Sequence, residues 1–153
     1  MAGRDAFLCY TDGSCKAGEG APGGWGFVVK PPSGAVIEGY GKATRTLAKV
    51  MEYRAVAEAL AVLPEGAKAT VFSDNQSLVE TLAKKLPVWR ANGFANVDPT
   101  IVDLARAIDA HLGAKSLTVE WQWLKGHNGN AGNERADALA AQGAREAKRD
   151  LAR

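Results

Sequence analysis

Cysteine is scarce: Cys9 and Cys15 are the only two among 153 residues. Two thiols cannot build a disulfide framework, and their spacing matches no zinc motif, so the expectation is reduced thiols in an intracellular protein. No stretch approaches the roughly 20 apolar residues of a membrane span, and residues 1–5 lack the apolar core of a secretory signal. A soluble, cytoplasmic chain without a membrane partner is therefore expected. Neither charge sign dominates: 19 basic residues face 17 acidic ones, for a formal net charge of +2. That balance permits a nucleic-acid partner without demanding one, because a binding face needs only local basic residues. Repeats and low-complexity tracts are also missing, and 46% hydrophobic against 24% charged residues excludes disorder. Residues 1–153 should form a single domain with one core.

What is present is an alternation of short apolar runs and helical stretches. Residues 6–10 read as a strand buried on both faces, running into Asp12 and then a loop marked by Gly13, Gly18, Gly20, Gly23 and Gly24. Residues 25–30 and 35–42, parted by a turn at 31–34, complete an antiparallel meander. Hydroxyl capping at Thr44 to Thr46 is expected to start a helix that spans 50–60, and Pro64 and Gly66 end it. A second strand-to-acid passage follows, residues 69–73 into Asp74, with a helix through Lys84. The right-handed crossover rule makes this strand a parallel neighbour of the first. Asp12 and Asp74 should then lie side by side at the sheet's carboxyl edge, where open α/β sheets place ligands.

Residues 85–97 show little periodicity and read as an irregular surface segment or a short helix and loop. Asp98 as N-cap and Pro99 at the first position should open a helix to Leu112, closed by Gly113. Residues 117–124 alternate like a half-buried strand, and the polar loop 126–133 leads to a final helix from about Glu134. The fold class is α/β.

Taken separately, Asp12, Glu52, Asp74 and Asp137 read as surface or turn acids. Glu52 and Asp137 nevertheless sit in apolar helical surroundings that turn them inward. Acids converging on one edge raise one another's pKa unless a cation neutralises them. An all-oxygen donor set points to magnesium or manganese, and two such ions about 4 Å apart suit phosphodiester hydrolysis. Of the two histidines, His111 near a helix C-terminus is explained by its dipole contact. His127, in the polar loop, suits proton shuttling.

With those residues in hand, the chain resembles type 1 ribonuclease H over almost its whole length. The motifs are Thr11-Asp12-Gly13-Ser14-Cys15, Met51-Glu52, Ser73-Asp74-Asn75-Gln76 and Lys125-Gly126-His127 through Asn133 to Asp137. The resemblance implies a ribonuclease H-like fold, a five-stranded mixed sheet flanked by helices. It implies metal-dependent endonucleolytic cutting of the RNA strand of an RNA–DNA hybrid, leaving 5′-phosphate and 3′-hydroxyl ends, by a monomer. Asp12, Glu52, Asp74 and Asp137 would hold two Mg2+ ions, for which Mn2+ can substitute, with Asp12 bridging them. His127 would assist the leaving group or product release. Ser14, Cys15 and Gln76 match positions that contact substrate, some through backbone groups, while Arg45 matches a phosphate-pocket arginine and Asn133 a polar position near the scissile phosphate. Discriminating RNA from DNA requires contacts to 2′-hydroxyls in the shallow minor groove.

Departures from the family pattern accompany the match. Residues 45–50 lack the asparagines usual before the catalytic Glu, Leu47 stands where threonine is usual, and Lys49 offers a substitute phosphate contact. Only one histidine remains in the polar loop, and the segment around Trp89, Arg90, Gly93 and Phe94 resembles the family's basic handle with less charge. A catalytically inactive binding module and another nuclease on the same scaffold are the competing readings.

Overall fold

The computed structural model describes residues 5–125 and 129–152. Five strands form one sheet in the order β3-β2-β1-β4-β5. β1 (Ala6–Ser14), β2 (Ala21–Lys30) and β3 (Ile37–Thr46) pair antiparallel, while β4 (Lys68–Ser73) and β5 (Thr118–Trp123) extend the sheet in parallel from β1. Helices α1 (Ala48–Ala61), α2 (Gln76–Ala91) and α3 (Val102–Ala114) follow β3, β4 and α2 in turn, and α4 (Ala131–Leu151) comes last. The mixed α/β sheet is the one the sequence leads to.

One apolar cluster lies between the sheet and α1, α2 and α3, and contains the fully buried Leu60, Leu82, Leu86, Ile101 and Ile108. Each such side chain contributes about 1.5–3 kcal/mol relative to an exposed position. A smaller cluster of Tyr10, Val28, Ala136 and Leu139 seats α4 on the opposite face. Tyr10 stacks on Phe72 across the parallel pair, with ring centroids 4.9 Å apart.

Five boundaries differ from the sequence reading, each for a local reason. The glycines expected to mark a loop instead lie partly inside strands: Gly13 ends β1, and Gly23 and Gly24 belong to β2. A side chain on Gly24 would run into the backbone of Ala140 and Ala144, so this glycine lets α4 settle onto the meander. Thr44 to Thr46 finish β3 rather than cap α1, whose N-cap, Leu47, makes no side-chain bond.

Further along, α2 continues through Pro87 to Ala91. A mid-helix proline forfeits one backbone bond and crowds the preceding turn, but buried Leu82 and Leu86 anchor this turn to the core. Asp98 caps a turn rather than a helix. Its Oδ1 accepts from the Thr100 N–H at 2.9 Å and the Thr100 hydroxyl at 2.7 Å, and α3 starts only at Val102. At the last helix Asn130 is the N-cap, accepting from the Asn133 N–H at 2.9 Å, so α4 starts earlier than expected.

Candidate active site

The parallel pairing of β1 with β4 ends at Tyr10 opposite Phe72. Beyond it β1 runs on to Asp12 while β4 stops at Ser73, so Asp12 and Asp74 emerge at one edge of the sheet. Alternation along the strand sends Asp12 to the same face as Tyr10, whose ring lies against Gly132 of α4. Gly13 faces the other way, against the start of α1. A side chain there would strike the backbone of Met51 and Glu52, so glycine is what lets α1 bring Glu52 to the strand end.

One backbone group ties the first two acids together. The Gly13 N–H donates to Asp12 Oδ1 at 2.9 Å and to Glu52 Oε1 at 2.8 Å. Asp12 and Glu52 are buried and Asp74 is half-buried, and each of the three offers a carboxylate oxygen within 4.8 Å of the others. Glu52 Oε2 is buried and has no hydrogen-bond partner among the described residues. Asp137, half-buried on α4, faces Asp12 closely enough for a protonated carboxyl to bond across.

The electrostatics follow from this crowding. Burial, then the Glu52 charge, then the contact with Asp137 and the charge of Asp74 push Asp12 far above the ordinary carboxylate range. Glu52 is also raised, chiefly by burial; the Gly13 N–H opposes that rise and the Asp74 charge reinforces it. An all-carboxylate cluster with an orphaned buried oxygen is the donor set a hard divalent cation fits.

Asp12, Glu52, Asp74 and Asp137 thus come together as the sequence suggests. The other expected site residues are more scattered. Ser14 is buried at the end of β1. Cys15 is buried too, and its thiol points to the carbonyls of Gly18 at 3.2 Å, Ala21 at 3.6 Å and Thr46 at 3.6 Å, which leaves only its backbone for a substrate. Gln76 is exposed at the start of α2 and donates to Glu80 at 3.0 Å. Arg45 is exposed on β3, and Asn133 is buried in the first turn of α4 with its Nδ2 lacking a partner among the described residues. His127 lies outside the described residues. Lys49, the suggested phosphate contact, is paired with Asp98 at 2.9 Å.

Three contributors escaped the sequence reading. Gly13 reads as a loop residue, yet it fixes two carboxylates. Asn75 caps α2 by accepting from the Leu78 N–H at 3.1 Å and also eases the Glu52 charge. Trp123 sits opposite Ser73 in the register of β4 and β5, and its Nε1 donates to the Asp74 carbonyl at 3.3 Å. A tryptophan closing a strand parallel to the Asp74 strand was the available signal for this last one.

The comparisons with known proteins agree with the geometry. The family described as RNase H matches residues 4–145. A ribonuclease H of Polaromonas naphthalenivorans is 39% identical over 143 residues, which is 92% of this chain and 88% of that protein. Among solved structures, LC9-RNase H1, a type 1 RNase H with the type 2 active-site motif, superposes with a TM-score of 0.76 at 26% identity, over 93% of this chain and 73% of the other. LC11-RNase H1, solved in complex with an RNA/DNA hybrid, shares the fold with a TM-score of 0.71 at 22% identity, covering 92% of this chain and 98% of that one. Sheet order, carboxylate edge and sequence likeness converge, and the chain belongs to the ribonuclease H family.

Proposed function

We propose that this family member hydrolyses the RNA strand of RNA–DNA hybrids at a centre built on Asp12, Glu52, Asp74 and Asp137, with magnesium as its working ion. The observation that carries the reading is the set of three carboxylate oxygens within 4.8 Å of one another, beside the unpartnered buried Oε2 of Glu52. Left as bare acids, these groups would repel. Two divalent cations, when bound, supply an activated water and a counter-charge for the leaving 3′ oxygen.

The chain's own residues do the rest. Asp12 has Glu52, Asp74 and Asp137 all as close neighbours, so it is the acid that would be shared if two cations were held. The Gly13 N–H fixes one oxygen each of Asp12 and Glu52 and leaves the other oxygen of each for a cation. Trp123 steadies the backbone at Asp74. His127 is assigned proton delivery to the leaving oxygen, which gives 5′-phosphate and 3′-hydroxyl ends. The enzyme is further inferred to be cytoplasmic, a reading supported by free, buried Cys9 and Cys15, and to be a monomer, as its family resemblance implies.

The test is one labelled sequence prepared as RNA–DNA, RNA–RNA and DNA–DNA duplexes, incubated with magnesium, manganese or chelator. Cutting confined to the RNA of the hybrid, dependent on metal and lost in Asp12→Asn, is the expected result. Tight hybrid binding without cutting would replace the enzyme with a binding module.

A further inference from the structure

A second feature of α4 lies away from the carboxylates. Ser14, Lys16, Ala17 and Pro22 at the β1–β2 end face Ala141, Ala144, Arg145 and Lys148 of α4 across a cleft of about 350 Å³. Its floor is apolar and made of small residues, and its rim carries three cations. Among the described residues none of Lys16, Arg145 or Lys148 forms an ion pair, although Lys42, Arg54, Arg90 and Arg135 elsewhere on the surface each hold a carboxylate. Unneutralised cations gathered at a concave site form an electrostatic footprint for an anion.

The position of the cleft says which anion. Asp137, Ala141, Ala144, Arg145 and Lys148 recur at helical spacing on one face of α4. At about 1.5 Å per residue, Arg145 and Lys148 stand about 12 and 16 Å along the axis from Asp137. Consecutive phosphates of one strand are roughly 6 Å apart, so this offset corresponds to two or three phosphates. The cleft also begins at Ser14, two residues beyond Asp12 on the same strand. A strand whose phosphate reacted at Asp12 and Asp137 would reach these cations if it ran along α4.

We propose that the cleft between the β1–β2 turn and α4 grips the RNA strand through a phosphate two or three nucleotides from the reacting one, with Lys16, Arg145 and Lys148 as its ligands. The assignment rests on the hybrid-cleaving function proposed above. The contact is sequence-independent and acts on affinity, because Arg145 and Lys148 stand about two to three turns along α4 from Asp137, too far to touch the reacting atoms.

The experiment compares the full-length protein with Arg145→Ala/Lys148→Ala and with the charge-keeping Arg145→Lys/Lys148→Arg. Hybrid binding is titrated by fluorescence anisotropy in chelator across a salt series, and cleavage is followed in magnesium. For the alanine pair we expect the slope of log K against log salt to shrink by about one, for the single phosphate no longer held. KM should rise about tenfold with kcat within twofold of wild type, while the charge-keeping pair restores both. One neutral methylphosphonate is placed two or three positions from the cleaved bond in the RNA strand or, in a second hybrid, at the facing position of the DNA strand. It should weaken wild-type binding only when it is in the RNA, and should weaken the alanine pair, which keeps Lys16, much less. Unchanged salt slope and KM in a normally cutting alanine pair would overturn the cleft alone, as would loss of affinity in both pairs alike. A methylphosphonate effect confined to the DNA strand would overturn the RNA assignment. A wild-type protein that neither binds nor cuts the hybrid would overturn the cleft and the ribonuclease reading together.

Discussion

The two ends of the α4 face are built in opposite ways. At one end four carboxylates crowd into partly buried space, held by the Gly13 N–H and the close approach of α1 and β1. At the other, three cations stand around an open cleft with small side chains for a floor. Groups that do chemistry must be fixed before substrate arrives, and fixing like charges together costs stability. Groups that only grip a phosphate can stay solvated and flexible. Their contribution is correspondingly modest and sensitive to salt. The difference implies that neutralising one of the crowded acids moves turnover and stability in opposite directions, while changes at the basic end move affinity alone.

The largest effect expected is in Asp12→Asn. Cleavage of the hybrid at saturating magnesium should fall by on the order of a thousandfold or more, because the central carboxylate's charge and one of its two oxygen donors are lost. The same change removes an acid whose ionisation burial and Glu52 disfavour and whose proton the folded state must hold, so the metal-free variant should unfold at higher urea than wild type. Equal turnover in the two proteins would break the acidic side of the comparison.

Gly13→Ala comes next. Its methyl group has no room beside Met51 and Glu52, and overpacking of this kind costs about 1–3 kcal/mol or more. A lowered urea midpoint, with activity lost in parallel, is expected; an unchanged midpoint would mean that α1 can move away from the strand without consequence.

Stability against pH gives a third contrast. Asp12 and Glu52 both have folded pKa values raised above their ordinary value near 4, so the folded state keeps protons that the unfolded chain has released. No penalty applies below about pH 4, and in metal-free protein it grows as pH rises above that towards the folded values. Every tenfold difference in proton affinity between the folded and unfolded chain corresponds to about 1.4 kcal/mol. Melting of wild type against Asp12→Asn in chelator should show the variant's advantage growing between pH 5 and pH 8. A gap that stays constant across that range would contradict the raised values.

Trp123→Phe should have the smallest effect at the acidic end. Losing one hydrogen bond to the Asp74 carbonyl, worth about 0.5–1.5 kcal/mol, should lower kcat roughly two- to tenfold with KM unchanged. A change confined to KM would assign Trp123 to substrate contact instead.

Much of the acidic end was legible in the sequence because it repeats a simple device. Two apolar strands each run directly into an aspartate, and the crossover rule makes those strands parallel neighbours, so their ends must meet. Glu52 and Asp137 were legible from their apolar helical surroundings. Gly13, Gly23 and Gly24 were misread because a glycine required by close packing looks the same in sequence as one required by a turn. The long α2 was missed because Pro87 and the weak periodicity after Lys84 argue for a break, whereas burial of Leu82 and Leu86 overrides both. Asp98-Pro99 resembles a helix start, but the Asp98 side chain is taken up by Thr100. Of the basic cleft the sequence shows only the charge run Arg145 to Arg149, which by itself reads as a solvated helix face. Lys16 and the pair Arg145 and Lys148 are far apart in the chain, and only the seating of α4 on β2 brings them to one place.

The central claim, that the crowded carboxylates form a cation site, is tested most directly by thermal melting with and without magnesium at pH 7.5 in wild type and Asp12→Asn. A ligand that binds only the folded state raises the melting temperature as its concentration exceeds the dissociation constant. Wild type should be the less stable of the two in chelator and should gain several degrees with magnesium, while the variant starts higher and gains little. Equal gains in both proteins, or none in wild type, would contradict the account.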